Sequence, residues 1–147
     1  MHAKTTWVVI ADAGHAHIVA AMGPGKGLSE VTAFDAAELH KHSRDLGADR
    51  PGRTSDRFGP GRHAMEPRHT PEDVAKAAFE NAIADYLIES AKKSRYDRLA
   101  LVAPPKALGA LRDMLDGHVT VDATLDKDLT HVAIHDLEPH LRDLVNF

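Results

Sequence analysis

The sequence predicts an α/β protein, a mixed five-stranded sheet with helices packed on it, and three observations predict it. The first 35 residues hold three runs rich in β-branched and aliphatic side chains, separated by glycine-containing turns, which is the pattern of an antiparallel meander. From residue 70 onward, stretches with helical periodicity alternate with short apolar runs, which is the pattern of βα units and parallel strands. The chain has 147 residues, 43% of them hydrophobic and only 5% aromatic, which suits one domain with a core of Val, Ile, Leu and Ala.

The elements follow in order. "TTWVVIADA" (5–13) reads as a buried strand and "GHAHIVAAM" (14–22) as its hairpin partner, with Gly14 free to make the turn. "GPGKG" (23–27) is a second turn with Lys26 as a charge at its tip, and "LSEVTAFD" (28–35) is a third strand. A segment without regular structure is expected from about Ala36 to His69. Thr70 then reads as an N-cap, Pro71 as the first helical residue and Asp73 as a near-capping-box acid. The helix carries two i, i+4 rows, Val74, Ala78, Ala82, Tyr86 and Ala75, Phe79, Ile83, Leu87, and is expected to end near Ser94. "DRLALVAPP" (97–105) is a strand stopped by prolines, "PKALGALRDML" (105–115) a short helix and "HVTVDATLD" (118–126) the last strand. "HDLEPHLRDLVNF" (135–147) reads as a C-terminal helix with Asp136 as its N-cap.

The order βββ-α-β-α-β-α gives a meander followed by two right-handed crossovers, the arrangement of the ribonuclease H-like fold. Fold alone does not give function. The absence of cysteine removes disulfides, thiolate metal sites and cysteine nucleophiles. The apolar run before Asp12 is too short for a signal peptide or a membrane span, so the expected compartment is the cytoplasm, with no membrane partner. A net charge of −4 rules out a surface basic throughout, so any polyanion site is local.

Asp12 ends the first strand, where ribonuclease H-like nucleases place a metal-binding carboxylate. Two-metal phosphodiester chemistry needs further acids, and Glu80, Asp126 or Asp128 could be recruited, although the fourth strand ends "VAPP" without one. A polar strand-end aspartate is the alternative reading. Of the 11 histidines, His15 and His17 share one face of a strand. His131 and His135 in "HVAIH" have the spacing of a zinc helix, with Val132 where a metallohydrolase carries its glutamate. Scattered surface or strand histidines are the alternative, and no metal or cofactor is assigned. No Walker, nucleophile-elbow or dinucleotide motif is present.

The densest signal is "GADRPGRTSDRFGPGRHAMEPRH" (47–69), with five Arg, four Gly and three Pro. Together with His40, Lys41, His42 and Arg44 just before it, the segment favours anions, and it leads into the N-terminus of the long helix. Arg50, Arg53, Arg57, Arg62 and Arg68, with Gly52, Gly59, Gly61 and His63, form the expected phosphate-binding set. A solvated insertion of mixed charge is the alternative.

"WVVIADAGHAHIV", "RDLGADRPGRTSDRFGPGRHAMEPR", "DRLALVAPPKALGALRDML" and "LDKDLTH" together resemble the bacterial family labelled "host attachment protein" over nearly the whole chain. That family is similar to the middle domain of eukaryotic and archaeal class 1 peptide release factors. The resemblance implies a ribonuclease H-like core and a loop, ahead of the long helix, that carries Gly-Gly-Gln into the ribosomal peptidyl-transferase centre. The matching stretch here is "GPGRHAMEPR" (59–68), and the chain contains no glutamine. Arg62 and His63 stand nearby instead, and His63 and Asp12 are the candidate catalytic residues.

The leading expectation is a release-factor-like domain spanning 1–147 that binds the ribosome or tRNA through the Arg/Gly-rich loop, in translation control, ribosome rescue or stress. The alternatives are a non-catalytic host-attachment or partner-binding module, and a metal-dependent nuclease or hydrolase using Asp12.

Overall fold

The computed structural model describes residues 4–23, 27–39 and 71–144. The phosphate-binding set from Arg50 to Arg68, His40, His42, His69, the Thr70 cap and Lys26 lie outside the described residues.

The sheet is mixed, open and five-stranded, in the order β3-β2-β1-β4-β5. Strands β1 (Thr6–Ala11), β2 (His15–Ala21) and β3 (Leu28–Asp35) form the antiparallel meander. Strand β4 (Arg98–Ala103) pairs parallel to β1, and β5 (Ala123–Asp126) parallel to β4. The two central strands are buried on both faces, which is why β1 reads "WVVIA" and β4 "LALVA" without alternation.

Helices α1 (Pro71–Lys92) and α2 (Pro105–Leu115) cover one face of the sheet. Phe79, Ile83 and Leu87 of α1 and Leu111 and Leu115 of α2 pack there against Trp7, Val9, Ile18, Leu99 and Leu101. Helix α3 (Ile134–Leu141) covers the other face, where Leu137, Leu141 and Leu129 pack against Val8, Ile10, Val19 and Val102. Arg95 lies over the Trp7 ring at 5.1 Å and the Tyr86 ring at 5.6 Å, closing the end of the core with a cation on two aromatic faces. No helix among the described residues is long and apolar enough to cross a membrane.

Several boundaries differ from the expectation, each for a physical reason. Of the two α1 rows, the Phe79 row is core, while the other begins on an exposed Val74. Helix α1 stops at Lys92, and Ser94 then takes a left-handed φ of 57° that turns the chain toward β4. Gly14 is not what turns the first hairpin. The Asp12 side chain does that by accepting the backbone N–H of Gly14 and of His15. Residues 36–39 are not irregular but form a helical turn, and Asp35 Oδ1 accepts the N–H of Ala37 at 2.8 Å and of Glu38 at 3.3 Å.

The last strand is four residues long, not nine. Gly117, at φ 83°, ends α2, and the chain reaches the sheet only at Asp122, whose carboxylate accepts the Leu99 N–H at 2.9 Å. Val119 and Val121 pack against the core from outside the sheet, so their alternation came from packing and not from strand pairing. Helix α3 starts at Ile134 with Ala133 at its cap and no side-chain cap bond. Asp136 therefore lies in the first turn and is not the N-cap.

Candidate functional site

The polar side chains that the fold draws together lie at the C-terminal end of β1. Asp12 follows Ala11 there, and its side chain is 17% exposed. Its Oδ1 accepts the N–H of Gly14 at 2.8 Å and of His15 at 2.7 Å. Its Oδ2 accepts the Thr130 hydroxyl at 2.8 Å. Burial pushes the Asp12 carboxyl up, but the donors from Gly14, Thr130 and His15 outweigh it and hold the group below its ordinary value of 3.8.

The segment after β5 supplies the other half. Leu129 is 5% exposed and pins this segment to the α3 side of the core. With Leu129 fixed, Asp128 and Thr130 flank it and reach back over the end of β1. Asp128 Oδ1 accepts the Thr130 N–H at 3.1 Å and the Thr130 hydroxyl at 2.7 Å. A threonine hydroxyl has one hydrogen, so Asp12 and Asp128 share a single donor between them. One ligand atom from each of Asp12, Asp128 and His131 lies within 4.8 Å of the other two.

His15 extends this corner toward β3. Its Nδ1 is 3.8 Å from Asp12 Oδ1 and its Nε2 is 3.5 Å from Asp35 Oδ2. The arrangement is two carboxylates and an imidazole presented at a strand end, a mixed oxygen and nitrogen donor set that suits a divalent cation.

The sequence-based candidates divide as follows. Asp12 and Asp128 are brought together, while Asp126 and Glu80 do not join their cluster. Glu80 is 7% exposed on α1, and burial raises its pKa, partly countered by Lys76. His131 and His135 do not share a helix, because His131 lies in the turn before α3. His15 and His17 do share one sheet face, opposite Asp35 and Ala33 of β3. Thr130 was not among the candidates, and His131 was paired with His135 instead of with Asp12 and Asp128, although Thr130 and His131 both stand in the "LDKDLTH" motif that carried the family resemblance.

Fold and site together define an α/β protein with a carboxylate–imidazole corner at the end of its first strand. The chain belongs to the family described as "Protein required for attachment to host cells", whose model matches residues 7–141. No curated protein matches the chain.

Proposed function

We propose that this protein is a ribonuclease H-like, release-factor-middle-domain-like scaffold that binds the ribosome or tRNA through segment 47–69, in translation control, ribosome rescue or stress. The observation that carries this reading is the sheet order β3-β2-β1-β4-β5, with an antiparallel meander on one side and two parallel additions on the other. That arrangement supports the fold reading, and the Arg/Gly-rich segment falls in sequence between β3 and α1, where release factors carry their loop. Arg50, Arg53, Arg57, Arg62 and Arg68 meet phosphates, and Gly52, Gly59 and Gly61 allow close backbone approach. Without glutamine the segment acts as a contact element, with His63 as its candidate acid–base group.

Binding of a fluorescent tRNA, followed by anisotropy across a salt series, tests this. Affinity should fall linearly with salt on logarithmic axes, and Arg50, Arg53 and Arg62→Ala should each weaken binding and flatten the slope by about one. Affinity indifferent to salt and to all three substitutions would sink the reading.

A second reading rests on the carboxylate–imidazole corner. Asp12, Asp128 and His131 would bind a divalent cation and support hydrolysis of a phosphodiester. Two backbone donors already occupy Asp12 Oδ1, so Oδ2 is the atom that would take the cation. Calorimetric titration with Mn²⁺ should give a saturable signal abolished by Asp128→Asn, and RNA cleavage should require both the metal and Asp12. No heat and no cleavage would remove this reading. The family description also supports a module for attachment, which co-purification with envelope components, and not with ribosomes, would favour.

A further inference from the structure

The corner at Asp12 continues into a groove of about 400 Å³ over the ends of β2 and β3, lined by His15, His17, Glu30, Ala33, Asp35 and Glu38. Ala33 gives the groove an apolar floor and the three carboxylates stand around it, while the Phe34 ring turns to the opposite face of the sheet against Tyr86. The residues come together through the register of the two strands. His15 opposes Asp35 and His17 opposes Ala33, so all four face the α3 side of the sheet. A register shift between Ile18 and Val19 then inserts Val31 as an extra residue, and Glu30 opposes Val19. Without this bulge Val31 would face the groove and Glu30 would face away. Bulges re-aim side chains in this way beside functional sites.

We infer that this groove is a docking site for one arginine side chain of a partner polypeptide. Charge complementarity and shape carry the inference. Three carboxylates face two imidazoles, and half-burial keeps His17 neutral above its lowered pKa, so the groove is net acidic. The apolar floor suits the aliphatic stem of an arginine, and carboxylates at separate positions suit the several donors of a guanidinium better than the single point of an ammonium. The inference is independent of the RNA-binding segment and of the cation reading.

Amide NMR of the full chain titrated with N-acetyl-arginine amide tests it. Saturable shifts should appear at residues 15–17 and 30–35, and Glu30→Gln and Glu38→Gln should each weaken binding by roughly three- to tenfold. Both glutamates are exposed, and unchanged spectra elsewhere in the variants will report an intact fold. The neutral isostere N-acetyl-citrulline amide should produce no saturable shift. Spermidine, a free polyamine, should bind more weakly than the blocked arginine. Absence of saturable shifts, equal shifts with citrulline or spermidine, or arginine binding unchanged in both variants would each overturn the proposal.

Discussion

Thr130 donates its hydroxyl to Asp12 Oδ2 at 2.8 Å across 118 residues of sequence, tying the segment after the last strand to the end of the first. The same oxygen stands 2.7 Å from Asp128 Oδ1, so one hydrogen serves two carboxylates. Replacing Thr130 with the isosteric valine removes that donor and leaves two negative groups facing each other. Thr130→Val should lose about 1–2 kcal/mol of stability at neutral pH by urea unfolding, and Thr130→Ser should recover most of it. A valine variant as stable as the parent would show that the contact does not bind the two segments.

The depressed pKa of Asp12 makes a pH-dependent contribution to stability. The unfolded chain takes up the proton near the ordinary 3.8 and the folded chain only at lower pH. Between those values the unfolded state binds more protons, so stability falls as pH falls. The stability difference between the parent and Asp12→Asn should therefore be constant above about 5 and shrink as pH drops through the folded-state pKa. A difference unchanged down to the lowest accessible pH would contradict the donor set described for Asp12.

His17 works in the same direction at higher pH. Burial lowers its pKa below 6.5, opposed by Glu30, and its Nε2 is buried without a hydrogen-bond partner among the described residues. The neutral imidazole is favoured by the fold, so its contribution is complete above 6.5 and is lost as pH falls through the lowered value. His17→Leu should be at least as stable as the parent at pH 7 and should lose less stability between pH 6.5 and 5. Equal pH slopes for the two proteins would refute this.

Gly14 offers a control on the first hairpin. A Cβ built there meets no atom within 4 Å, and its φ lies outside the left-handed region. Since Asp12 makes the turn, Gly14→Ala should be tolerated and raise stability by about 0.4–1 kcal/mol through the unfolded chain. Destabilisation would mean that glycine is needed at this position after all.

Much of this architecture was legible in the sequence because local pattern and tertiary environment agree there. The third strand, 28–35, and the second helix, 105–115, fall where their composition and proline punctuation set them. The doubly buried strands announced themselves as unbroken apolar runs. Reading failed where a side chain does the work of backbone. Asp122 accepts the Leu99 N–H in place of a strand carbonyl, so "HVTVD" looks like strand and is not. Asp12 turns a hairpin that Gly14 seemed to own. The pairing of Asp12 with Asp128 was visible as one of several acid choices. The part of Thr130 was not, and His131 showed only its spacing to His135, because the position of both depends on Leu129 entering the core, which no periodicity signals. The β2–β3 bulge that aims Glu30 into the groove is equally silent in sequence.

The central claim is contact with the translation apparatus through segment 47–69, and ribosome co-sedimentation of the full chain at low and high salt tests it most directly. The parent protein should pellet with ribosomes at low salt and be released at high salt, and a variant lacking residues 47–66 should stay in the supernatant at both. A deletion variant that folds and still pellets with the ribosome, or a parent chain that never does, would contradict the account.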